Sequence, residues 1–183
     1  MRRAAFIISS LAISLSATAQ EQEEEFLTLS QINKGVLSAA NAYAKAVSCV
    51  EALATPSTIF ALTPLKTRDD SFDAKYLVFW DGDVGCNGGS GTLTTNHAVV
   101  RVSYHGHFYV VPEHSAPVKG GLESRFITKF VGNSKDTMVV DQLEHAEKDA
   151  NNFPSLKYRV TYQIDDRSGE WKTINKKQLP YQP

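Results

Sequence analysis

One segment of this chain repeats its apolar residues every three or four positions. After residue 76 they alternate or run together. Ile32, Val36, Ala39, Tyr43, Val47, Val50 and Leu53 follow the first rule, as the buried face of a helix does. Thr28-Leu29-Ser30-Gln31 in front of them fits a capping box, with Thr28 as N-cap and Gln31 reaching back, and Thr55-Pro56 ends the segment. Residues 76–80 are continuously apolar, as in a central strand. Residues 98–104 and 108–111 flank His105-Gly106-His107, and 126–131 and 137–143 flank a second turn at 132–136. Tyr158, Val160, Tyr162 and Ile164 alternate with polar neighbours, and a turn at 165–169 leads into a last strand carrying Trp171. One helix followed by hairpin-linked strands restricts the chain to an α+β arrangement. The expectation is one N-terminal helix packed on a curved, mostly antiparallel sheet of about six to seven strands, forming a single domain over 28–183. The curvature is drawn by analogy with other small exported domains.

The chain ahead of the helix has a different character. Arg2-Arg3, a short apolar stretch from Ala4 to Ser16 and the small residues Ala17-Thr18-Ala19 have the layout of a secretory signal peptide, 1–20, cleaved near Ala19. The acidic stretch that follows, 21–27, is expected to be a solvated, disordered terminus. These features place the mature protein in a periplasm or the medium. Removing residues 1–20 takes away two arginines and no acid, so the formal charge moves from −1 to −3. No basic stripe stands out along the chain, which argues against nucleic acid as a partner, and no segment has the length of a membrane span.

Residues 81–92, Asp-Gly-Asp-Val-Gly-Cys-Asn-Gly-Gly-Ser-Gly-Thr, hold 5 of the 11 glycines and one of the 2 cysteines. Such a density of glycine marks turns or close approaches that a Cβ forbids. In an oxidising compartment Cys49 and Cys86 are expected to pair, tying this loop to another element; Cys49 is expected on the flank of the helix. The alternative is a free, nucleophilic Cys86.

Four chemistries are suggested by the loop, and each lacks a part. Asp81 and Asp83 occupy the first two ligand positions of an EF-hand loop, but Gly85, Cys86 and Thr92 stand where a third ligand, a glycine and a glutamate are needed. Gly88-Gly89-Ser90-Gly91-Thr92 lacks the lysine and the following helix of a phosphate-binding loop. Ser90 lacks the last glycine of a nucleophile elbow. Gly85-Cys86-Asn87-Gly88-Gly89 is similar to the G-C-N-G-G segment of papain-like proteases, and that resemblance implies a disulfide partner in place of a nucleophile.

Elsewhere, His105 and His107 share a face if extended and could start a zinc or copper site with His97, His114 or Glu113. The simpler reading is two polar residues on a turn. Asp141, Glu144 and Asp149 near His145 have no spacing that fixes acid–base geometry. No catalytic residue, metal site or cofactor is therefore expected. The reading is an exported, non-enzymatic protein that binds another protein, such as an inhibitor or immunity factor facing a cell-wall-acting or secreted enzyme. Asp81, Asp83, Asn87 and Ser90 would make the contacts, held in shape by Cys49–Cys86. A small hydrolase with His97, His105 and an acid in a concave sheet, and a structural envelope component, are the alternatives.

Overall fold

The computed structural model describes residues 26–89, 92–118, 122, 126–150, 153–165 and 167–180. The expected signal peptide and residues 21–25 of the acidic stretch lie outside them, as does Ser90.

The helix, α1 (Leu29–Val47), starts where the capping box places it. The Gln31 amide donates to the Thr28 hydroxyl at 3.3 Å, and the Thr28 amide donates to the Gln31 side chain at 2.9 Å, so two of the amides without a helical partner are satisfied. Ile32, Val36, Ala40 and Ala44 form its fully buried stripe. It ends sooner than the spacing predicts. Ser48 is extended, with φ −147° and ψ 158°, and Ser48–Ala52 is strand β1. Cys49 therefore sits on a strand and not on the helix flank. β-branched residues lose little by leaving a helix here, and the outer edge of the neighbouring strand needs a backbone partner.

The other strands are β2 (Ile59–Thr63), β3 (Lys75–Val84), β4 (Leu93–Val102), β5 (Phe108–Val110), β6 (Phe126–Ser134), β7 (Thr137–Glu144), β8 (Leu156–Ile164) and β9 (Trp171–Gln178). All pairings are antiparallel. The α+β class stands, but the single sheet of six to seven strands does not: nine strands among the described residues form two sheets. The first has order β1-β3-β4-β5, with β2 sharing the β1 edge of β3, and the second has order β6-β7-β8-β9.

The reason is written in β3. Tyr76, Val78 and Trp80 face α1 and join Ala98, Val100 and Val102 of β4 in one core. Leu77 and Phe79 point the other way and meet Val99, Met138, Val140, Val160, Tyr162 and Ile164 in a second core. Successive side chains alternate across a strand, so five consecutive apolar residues need cover on both faces, and one helix supplies only one. The second sheet supplies the other. Each large side chain so buried contributes about 1.5–3 kcal/mol. Polar ties also join the sheets: Lys75, itself buried, pairs with Asp136 at 2.8 Å, and the Asn133 side-chain amide donates to the Ala61 carbonyl at 2.6 Å. Among the described residues no helix is long and apolar enough to cross a membrane.

Candidate functional site

The glycine-rich segment divides into strand and loop. Asp81, Gly82, Asp83 and Val84 are the last residues of β3, and β4 starts at Leu93. β1 lies beside the end of β3, with Cys49 opposite Asp83. Cys49 and Cys86 are joined, their Cα atoms 5.1 Å apart. The free-thiol reading of Cys86 is thereby overturned.

The two strands approach closely. A Cβ on Gly82 would lie 3.0 Å from the Ser48 hydroxyl and 3.1 Å from the Cys49 carbonyl. Past Val84 the chain turns through left-handed conformations at Gly85 (φ 79°), Cys86 (φ 55°), Gly88 (φ 71°) and Gly89 (φ 122°). Glycine adopts these without cost, whereas Cys86 does not, and the covalent bond and its neighbours hold it there. The Gly85 amide donates to Val47 at the end of α1, 3.1 Å away. Helix, β1 and hairpin thus meet at one corner.

Asp83 and Asn87, whose carboxylate and amide are expected to contact a partner, each also bond within the loop. Asp83 accepts from the Gly88 amide at 2.7 Å, and Asn87 donates to the Val84 carbonyl at 3.1 Å. Among the described residues the tip presents Gly85, Cys86, Asn87, Gly88 and Gly89 as exposed surface. Asp81 differs. It accepts from the Thr95 hydroxyl at 2.8 Å and lines a cleft of about 300 Å³ at the base of the hairpin. The cleft opens between the sheets. Leu93, Phe126, Ile127 and Leu143 give it an apolar body, Thr94, Thr95 and Thr128 supply hydroxyls, and Glu51 and Asp81 supply carboxylates. Two of these residues are aimed by strand irregularities: the register shifts around Glu51 in β1 and around Thr128 in β6. Among the described residues that line it, none is cationic.

The histidines do not converge. His105 and His107 are exposed on the β4–β5 turn, closed by bonds between Ser103 and His107 and between Gly106 and Ser103. His97 is buried between the sheets. The Trp171 indole donates to its Nε2 at 3.2 Å, and the His114 carbonyl also lies 3.2 Å from that atom. An indole N–H only donates and a carbonyl only accepts, so the two partners compete for Nε2, one favouring each tautomer of the ring. Burial pushes this imidazole down to about 4, against the opposing pull of the His114 carbonyl. Neutral and enclosed, it is placed as a core group and is not beside His105, as a shared catalytic site would require. Asp149 takes the Ala146 and Ser155 amides, and Asp141 is bound by Arg159, so these acids also have structural partners. No group of three or more metal-ligating side chains occurs among the described residues.

The cleft is the part that sequence reasoning missed. Glu51, Phe126, Thr128 and Leu143 come from three strands with no shared motif, and two of those strands belong to the unanticipated second sheet. Comparison with protein-family models, with curated proteins and with solved structures finds no match to this chain.

Proposed function

We propose that this is an exported, non-enzymatic binding protein, an inhibitor or immunity factor that recognises a cell-wall-acting or secreted enzyme through the hairpin 81–92 and the cleft beneath it. The observation that carries the reading is the covalent staple: Cys49–Cys86 fixes an exposed, glycine-rich tip directly above a ready-made concavity. A loop already held in one shape loses less conformational freedom on docking, so more of its contact energy appears as affinity. The disulfide also suits an oxidising compartment, in keeping with the signal-peptide layout. In this reading the tip supplies backbone groups, Asp83 and Asn87 keep its shape, and the cleft takes an apolar side chain of the partner, preferably one ending in a cation that faces Glu51 and Asp81.

The structural-component reading draws on the same internal bonds of Asp83 and Asn87, which make the loop a well-built turn whether or not anything docks on it. Site-specific photo-crosslinking separates the two. With a crosslinking amino acid at Asn87, and a control at Ala42 on the exposed side of α1, one partner enzyme should be trapped from Asn87 and not from Ala42. A loop that traps nothing, or the same product from both positions, leaves the structural reading.

A further inference from the structure

We propose that the outer face of the second sheet carries a separate binding site for a phosphate-class oxyanion, formed by Lys129, Lys157 and Arg159. These residues are scattered along the chain, and the register brings them together. Lys129 of β6 stands opposite Asp141 of β7, Asp141 opposite Arg159 of β8, and Arg159 opposite Lys177 of β9. Residues directly opposite in adjacent strands share a face, so the four form one row across the sheet. Lys157 lies two residues along from Arg159 and therefore on the same face.

The row is more than a solvated surface, because it encloses a recess of about 320 Å³ walled by Leu179 and Pro180. At its centre Asp141 is 4% exposed. Arg159 holds it through two bonds, Nε to one oxygen at 2.8 Å and Nη2 to the other at 3.1 Å. That pair does two things. It cancels the lone acid of the recess, leaving the two lysine charges uncompensated, and it locks the guanidinium in place. Among the described residues neither Lys129 nor Lys157 forms an ion pair.

The chemistry of the donors selects the ligand. The Nε–Nη2 edge of Arg159, which would grip a planar carboxylate, is already taken by Asp141. What remains are single donors arriving from three side chains. A tetrahedral oxyanion has an oxygen for each and a charge that matches the two lysines. Lys177, farther along the row, is placed for a second charged group of the same ligand.

Titration of the folded chain with inorganic phosphate, tripolyphosphate or phosphatidylglycerol vesicles, followed by amide chemical shifts or vesicle co-sedimentation, tests the site. Saturable binding is expected from at least one probe, centred on Lys129, Asp141, Lys157 and Arg159. It should weaken at least tenfold in Lys129→Gln/Lys157→Gln, a pair of changes that leaves Asp141–Arg159 and the fold intact. Saturation by phosphate identifies a free anion, by tripolyphosphate alone a linear polyanion, and by vesicles alone a lipid headgroup. Failure of all three to saturate, or unchanged binding by the double variant, overturns the site. Neither outcome touches the hairpin, whose cleft shares no lining residue with this recess.

Discussion

Single residues in this protein carry their protonation state as a stability term, and His97 does so most. Its folded value is about 4, against 6.5 when free. Between those values the unfolded chain binds a proton that the folded chain refuses, so stability falls as the medium is acidified. The contribution is fully present above pH 6.5 and is lost progressively down to about pH 4, a change of about 3 kcal/mol. Urea unfolding at successive pH values should show this slope, and His97→Gln should flatten it; an unchanged slope in the variant would assign it to another group. A second acid limb lies lower. Asp70 is held below the usual carboxylate range by the Thr67 amide, Asp141 by Arg159, Asp149 by the Ala146 amide and Asp165 by the Ser168 amide. Their contribution is present above the ordinary aspartate value and disappears as pH falls through the lower folded values. Gly82 is the other residue whose identity is fixed by its surroundings. Gly82→Ala must push Ser48 and the Cys49 backbone away, at about 1–3 kcal/mol, measurable by denaturant titration.

At the scale of elements the staple dominates. Cys49–Cys86 closes a loop with a sequence separation of 37, for which chain entropy allows about 4 kcal/mol. Cys49→Ser/Cys86→Ser should lower the melting temperature by about 10 °C while keeping β-sheet circular dichroism. A change of under about 2 °C would mean that the hydrogen bonds of Asp83, Gly85 and Asn87 fix the corner without it. The same elements show what could be read in advance. The capping box located the start of α1 because its side-chain bonds join Thr28 and Gln31, three residues apart, and need no distant partner. The pairing of Cys49 with Cys86 followed from there being only two cysteines. The end of α1 was not legible, because Val50 and Leu53 continue the helical spacing by coincidence and only the empty edge of β3 turns the chain into β1. The cleft was invisible for a related reason, since its residues meet only once two sheets are stacked. One signal did exist: the unbroken run at 76–80 needs cover on both faces, and the sequence offers a single helix.

As a whole the molecule is three layers, with the first sheet buried between α1 and the second sheet. The 2 tryptophans report on the two interfaces separately, Trp80 on the helix side and Trp171 beside the inter-sheet core. If the layers form one cooperative unit, unfolding followed by fluorescence in Trp80→Phe and in Trp171→Phe should give a single transition with the same midpoint as circular dichroism in each variant. Separate midpoints within one variant would divide the chain into two units. This layering leaves the stapled hairpin and the cleft side by side at one end of the sandwich, and that placement underlies the proposed docking face. The most direct test is the affinity of the crosslinked partner for the wild-type chain and for Cys49→Ser/Cys86→Ser, measured well below the variant's melting temperature. Loss of the staple should weaken binding at least tenfold with the fold retained; equal affinity for the two chains would contradict the account.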